Sequence, residues 1–426
     1  MPDPASVAVA LAAWRAAHPT ATLAEIAAAV DHHLSAERAA LIADLASVQP
    51  DDRPACPQCG TAMVHNGTRT ETVTTAHEGS LPLTGPSMFA RPVGPGFSPL
   101  AERLALVPGQ LSPTLAALAV RFGLTGPFQR AATLLSAACG TRVSADTVRR
   151  LTEAAGDAWW PLELTLVTDL ETAARTPGGA PVVLAEAQPL DATKPAILEL
   201  DGAMVPLVHG EWAEARTLVI GTQDGATTTA LSYVSQLASA ATFARSIRPE
   251  LTRRGVAAHP GPVVAVTDGA IWIQELLDLH CPQAVRVLDI MHAAGYLAQA
   301  RFGPGTERTS EWFAIARTAL RRGDADTTLA MLAALPASPE RDRARHYLGQ
   351  RRSMLAYDRC DAAGWPVGSG AVESANKQVV EARLKGTGRH WTRDHANALL
   401  ALSALEASDR WATSWPRIVH RLRQAR

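Results

Sequence analysis

Cysteine is scarce in this chain: five residues (Cys56, Cys59, Cys139, Cys281 and Cys360), an odd number, are spread over 426 positions. Such usage argues against a disulfide framework and suits reduced thiols. Long apolar runs are missing too. No stretch approaches the roughly 18 unbroken apolar residues that span a bilayer. The opening MPDPASVAVALAAWRAAHPT has neither the basic start nor the small-residue cleavage site of a secretory signal. The expectation is a cytoplasmic protein with no membrane partner. Net charge is nearly absent as well, at −1, so any electrostatic argument for a polyanionic partner must come from how charge is distributed. What remains is 47% apolar composition, enough for ordinary cores in two to four units at this length.

Periodicity divides the chain. Residues 1–50 read as amphipathic helix over Val7 to Ala16, Leu23 to His33 and Ala36 to Val48, and Pro50, Pro54 and Pro57 then break the pattern. Residues 51–100 hold Cys56-Pro57-Gln58-Cys59-Gly60 and a Thr-, Gly- and Pro-rich stretch with a short hairpin suggested at Thr70 to Thr75. Residues 101–165 turn helical again. Ser112-Pro113 opens one helix that Gly123 closes, Phe128 to Cys139 makes a second, Gly140 turns, and Ser144 to Ala155 makes a third. The last pair, with Arg149 and Arg150 on the later helix, has the form of a helix-turn-helix, although helical hairpins serve equally as packing units.

From Ala196 the pattern becomes mixed. AILELDGAMVPLV, Ala215 to Gly221 and Thr227 to Ser235 read as three hairpin-connected strands, followed by a helix from Leu237 to Arg254. Strand and helix then alternate: Pro262 to Thr267, Ala270 to His280, Ala284 to Leu288 and Met291 to Phe302. Residues from Glu311 to about Tyr357 look helical, broken at Gly323 and Pro336 to Pro339, and helices follow from about Val372 to Lys385 and from Asp394 to Glu406. An antiparallel meander extended by parallel strands is the order of a ribonuclease-H-like α/β fold. The predicted architecture is therefore a ribonuclease-H-like domain formed by residues 190–303 and 364–415, with an all-helical insertion at 304–363. Helical and degenerate zinc-ribbon-like modules precede it.

Two Asp-Gly pairs follow apolar β-runs, Asp201-Gly202 in the first strand and Asp268-Gly269 after the fourth. Asp-Gly is a common turn dipeptide. In this strand order, however, the first and fourth strands are neighbours, and two carboxylates that close repel unless a cation lies between them. Hard oxygen ligands select magnesium or manganese. A third acid must come from a later helix, and Glu373 fits. The loop Trp365 to Gly370 precedes it, and an acid in a first helical turn is also favoured by the helix dipole. Lys377, Arg383, Lys385 and Arg389 follow, in a region from Arg341 to Arg426 that holds 16 basic against 8 acidic residues. They are read as phosphate contacts, the alternative being a solvated helical face.

The stretches LDGAMVPL, VTDGAIWIQELL, VRVLDIMHAAGYL and WPVGSGAVESANKQVVEARLKGTGRHW resemble the successive motifs of the ISKra-type insertion-sequence transposases, relatives of the Mutator group, over about Cys56 to Trp415. The resemblance implies a DDE transposase whose Asp201, Asp268 and Glu373 hold two Mg²⁺ or Mn²⁺ ions. These would polarise a scissile phosphodiester for attack by water and then by the freed 3′-hydroxyl. No activated Ser or Tyr is evident, in keeping with a route lacking a covalent intermediate. Asp289-x-x-His292 matches the family's Asp-x-x-His signature, which makes His292 a candidate catalytic residue or half of a structural clasp. The implied partners are transposon-end and target DNA, with a homo-oligomer in the DNA complex and association with the nucleoid. Cys56 and Cys59 form half of a zinc site. Where the family carries a second Cys-x-x-Cys, this chain has Ala90 and Val93, so zinc is expected to be weak or absent. Two other readings stay open: a catalytically inactive, transposase-derived DNA-binding protein, and a metal-dependent nuclease of the same fold.

Overall fold

The computed structural model describes residues 4–47, 55–56, 59–90, 94–97, 99–176, 182, 184, 186–303 and 310–424. The breaks expected at Pro50, Pro54 and Pro57, and Val93 of the zinc argument, lie outside them. The chain forms two units, one from residues 1–158 and 414–426, the other from residues 159–413. Among the described residues no helix is long and apolar enough to cross a membrane.

The first unit opens with α1 (Pro4–Ala17) and α2 (Leu23–Ser47). Two helices were expected where α2 is one. Ser35 lies inside the continuous helix and turns its hydroxyl back to the His32 carbonyl at 2.9 Å. The expected short hairpin is a full antiparallel sheet of β1 (Val64–Thr74), β2 (Ser80–Ala90) and β3 (Gly94–Phe97). Its inward residues Val73, Leu81 and Leu83 share a small core with Leu100 of α3 (Pro99–Arg103). Ser112 caps α4 (Pro113–Thr125), and α5 (Phe128–Cys139) ends at Gly140 with φ +68°. Gly123, read as a helix stop, lies inside α4. A Cβ there would collide with Thr152 of α6 (Ala145–Arg175), so the glycine serves close helix packing. That third helix does not end at the expected Ala155; it is 31 residues long, and its residues 145–158 belong to this unit.

The second unit is α/β, built on a five-stranded mixed sheet of β4 (Ala196–Pro206), β5 (Trp212–Asp224), β6 (Thr227–Leu237), β7 (Val263–Thr267) and β8 (Val285–Leu288) in the order β6-β5-β4-β7-β8. The first three strands pair antiparallel, whereas β7 and β8 run parallel to β4. Every residue of β7 is buried, as expected for a parallel strand covered on both faces. Alternation sends Leu198, Leu200 and Ala265 to one face, against Phe243 and Ile247 of α7 (Ala240–Ser246) and its extension and Leu277 of α9 (Ile271–His280). Ile197, Val264 and Val266 go to the other, against Leu297 of α10 (Ile290–Phe302), Leu320 of α11 (Glu311–Arg321), Leu332 of α12 (Ala325–Ala333) and Leu348 of α13 (Pro339–Gln350). The helices between residues 310 and 363, which end in α14 (Tyr357–Ala363), therefore share the sheet's own core.

The helix expected from Leu237 to Arg254 is a correction. Strand β6 continues to Leu237, Ser239 caps α7, and a new helix, α8 (Arg248–Arg253), starts with Pro249 in its first turn. Proline lacks the N–H an interior helical position needs, and so marks a start. α8 also anchors a buried ion network. Arg253 pairs with Glu250 at 2.8 Å and Glu163 at 2.6 Å, and Arg410 pairs with Glu250 at 3.1 Å and Glu186 at 2.8 Å. Both Arg253 and Glu250 are 2% exposed. Removing one member of such a network leaves buried charge uncompensated, which typically costs about 3–5 kcal/mol. Arg253→Met is accordingly expected to lose stability of that order in urea denaturation, and a loss under about 1 kcal/mol would contradict the assignment.

Candidate active site

Parallel register sets the site. Leu200 of β4 pairs with Thr267 of β7, and Thr267 with Leu288 of β8. The next residue along each chain is an aspartate: Asp201, Asp268 and Asp289. Neighbouring strands lie about 4.8 Å apart, so three carboxylates follow the point where the parallel pairing ends; β7 and β8 stop there, whereas β4 continues to Pro206 alongside β5. Ligands of open α/β sheets bind at the carboxyl ends of the strands.

Alternation places Glu199 and Asp201 on the face of Ile197, and Asp268 on the face of Val264 and Val266. That face is also covered by α15 (Gly370–Ala375), whose Val372 and Ala375 pack on Val219 of β5. α15 continues through a π-helical turn, Asn376–Glu381, into α16 (Ala382–Leu384). Such turns recur at functional sites.

Asp201 Oδ1 accepts the Gly202 N–H at 2.7 Å, and Oδ2 accepts the side-chain amide of Asn376 at 2.9 Å. Burial raises its pKa, and the negative charge of Asp268 acts in the same direction; the Gly202 N–H, Asn376 and His292 oppose them. Asp268 Oδ1 accepts the Ala270 N–H at 2.8 Å, which is turn chemistry of the ordinary kind. The turn is also held from α13: Tyr347 donates its hydroxyl to the Asp268 carbonyl, and Arg351 Nε donates to the Gly269 carbonyl at 2.8 Å. Gly269 has φ +76°, and a Cβ there would meet the Arg351 side chain.

Glu373 stands in the first turn of α15, 69% exposed, and pairs with Lys377 at 2.7 Å. It lies one turn before Asn376, the residue that reaches Asp201. Among the described residues no group of three or more His, Cys, Asp or Glu is arranged to hold a metal ion. The structure thus brings Asp201 and Asp268 together and leaves Glu373 turned to Lys377 on the covering helix. His292 is exposed; its ring sits 5.5 Å from that of Tyr296 and 5.8 Å from that of Tyr347. In Asp289-x-x-His292 the link is the His292 backbone N–H, donated to Asp289 Oδ1 at 2.7 Å.

The basic residues singled out from sequence fare differently. Arg383 is 2% exposed with its guanidinium over the Trp391 ring at 4.8 Å, so it is a core cation and not a surface contact. Arg389 Nη1 donates to the Arg383 and Lys385 carbonyls at 3.0 and 3.2 Å, closing the end of α16. Lys385 pairs with Glu381, Arg149 with Asp146 and Glu153, and Arg150 with Asp146. Cys56 is buried and Cys59 exposed. The Cys59 Sγ contacts the Thr61 hydroxyl at 3.4 Å, a bond that lowers the thiol's pKa.

Sequence reasoning missed Glu199, although a glutamate inside the apolar run AILEL was a signal. It is 2% exposed, and its Oε2 accepts the Val372 N–H at 2.8 Å. Burial pushes its carboxyl up to about 7 from the ordinary 4.5, and the charge of Asp289 adds to the rise. The folded protein therefore holds this proton more tightly than the unfolded chain does. The associated stability is complete below about pH 4.5 and is lost as pH rises through about 7. Glu199→Gln, neutral at every pH, should gain on the wild type between about pH 5 and about pH 8 by an amount on the order of 3 kcal/mol. Urea denaturation without divalent metal measures this, and parallel pH curves for the two proteins would refute it. No protein-family model matches the chain, and no curated protein matches it either.

Proposed function

We propose that this protein is a metal-dependent DNA-cutting and DNA-joining enzyme of the DDE transposase type, with a ribonuclease-H-like catalytic unit. The observation that carries the reading is the placement of Asp201 and Asp268 on one face, each directly after the last parallel pair of β4 and β7, Asp201 within β4 and Asp268 just past the end of β7. The helix bearing Glu373 covers that face. The strand order, an antiparallel meander extended by two parallel strands, also supports it.

Asp201, Asp268 and Glu373 are the residues that would hold Mg²⁺ or Mn²⁺. Bound there, the cation would neutralise the paired carboxylates and polarise a phosphodiester. The remaining residues keep the acids in place. Asn376 orients Asp201, while Tyr347 and Arg351 fix the backbone around Asp268. Lys377, exposed on the same helix, and Lys385, partly exposed just past its end, offer charge to phosphate oxygens. One observation favours a second reading, a transposase-derived DNA-binding protein that no longer cuts: Glu373 pairs with Lys377 rather than with the aspartates.

The decisive experiment is end cleavage and strand joining in magnesium or manganese. Asp201→Asn, Asp268→Asn and Glu373→Gln should each lose at least ~10²-fold in rate while remaining folded. Glu381→Gln, at an acid that pairs with Lys385, serves as the control. Near wild-type cleavage by Glu373→Gln would remove it from the site, and a wild-type protein that binds DNA without cutting would establish the second reading. DNA binding itself should weaken steeply with salt, as phosphate contacts dictate; a flat dependence from about 50 to about 200 mM would exclude a backbone-driven interface.

A further inference from the structure

The helix from Gly370 to Leu384 does not close its own N-terminus, because Ser369 makes no side-chain capping bond to it. Donors at its start go instead to two acids, Asp289 just past β8 and Glu199 within β4. Ser369 gives both its N–H, at 2.7 Å, and its hydroxyl, at 2.9 Å, to Asp289 Oδ2. Val372 gives its N–H to Glu199 Oε2 at 2.8 Å. Glu199 is 2% exposed and Asp289 8%. A buried carboxyl in a central strand is costly where an apolar side chain would fill the same space, so packing alone does not account for Glu199.

The spacing of the contacts is informative. Glu199 and Asp201 are two residues apart on one face of β4, about 6.6 Å along a strand. Val372 and Asn376 are four residues apart on the helix, about 6 Å of rise. Glu199 meets Val372, and Asp201 meets Asn376. These are two matched rungs between strand and helix, with Glu373 between them. The positive end of the helix dipole faces the two acids, which strengthens the hold.

We propose that Glu199 is a positioning residue: with Asp289 it fixes the axial placement of the helix Gly370 to Leu384, and through it the reach of Glu373 and the Asn376 bond to Asp201. This rests on the reading of Asp201, Asp268 and Glu373 as metal-holding acids. Glu199 touches neither substrate nor metal. It acts through the helix.

The test uses the full chain and measures Mn²⁺ binding by calorimetry, independently of cleavage. Glu199→Ala should weaken Mn²⁺ binding by about tenfold or more, as loss of a partner that orients a ligand typically does. Its cleavage defect should be partly recovered at higher Mn²⁺. Glu199→Gln, whose Oε1 still accepts the Val372 N–H, should stay within about threefold of the wild type, since it keeps the orienting bond. Val372→Pro removes the donor from the other side of the same bond at a first-turn position that tolerates proline. It should reproduce the Mn²⁺ defect if Glu199→Ala does not fold. Unchanged Mn²⁺ affinity in folded Glu199→Ala or Val372→Pro would overturn the positioning role. A wild type that binds no Mn²⁺ would instead overturn the acid-site reading itself.

Discussion

The parallel pairing of β4 with β7 is the constraint on which the site depends. Hydrogen bonding locks Leu200 beside Thr267 and Thr267 beside Leu288, so the residues that follow lie together where the parallel pairing ends. A slip of one residue in either register would send a carboxylate to the opposite face, among the apolar side chains around Leu200 and Leu277. The core on both faces specifies the register, and the register assembles the acids.

The acids at this end are handled differently from those elsewhere in the same unit. Around α8, Glu163, Glu186 and Glu250 are met by the guanidinium groups of Arg253 and Arg410. In and just past the strands β4, β7 and β8, Glu199, Asp201, Asp268 and Asp289 are met by backbone N–H groups, a serine and an asparagine. Neutral donors satisfy lone pairs without cancelling charge, so Glu199 and Asp201 are both pushed up by burial and by a neighbouring acid. The guanidinium of Arg351 is directed to the Gly269 carbonyl. Excess negative charge of this kind is what a divalent cation recognises, and it underlies the proposed chemistry.

Much of this was legible in the chain itself. The buried strands Pro262 to Thr267 and Ala284 to Leu288 appear as short apolar runs, and the intervening helix appears through its 3.6-residue period. Both Asp-Gly pairs end apolar β-runs, and the order of elements gives the strand neighbours. The illegible parts are those in which a local signal had two meanings. Gly123 reads as a helix stop but accommodates Thr152, Leu237 to Arg254 reads as one helix but is divided at Ser239 and Pro249, and Arg383 reads as a phosphate contact but is buried on Trp391.

By itself, then, the sequence determined most of the strands and helices of the second unit and which acids follow apolar β-runs, because hydrophobic period and turn chemistry act within a few residues. Only the tertiary structure decided which of those acids remain open and which are built into the scaffold. Asp289 is consumed by the loop at Ser369 and by the start of α10, Glu199 by Val372, and Asp201 shares Asn376. Except for the cap on α10, those partners lie 80 to 175 residues away along the chain. Their donors are set by desolvation and helix placement, quantities no local pattern encodes.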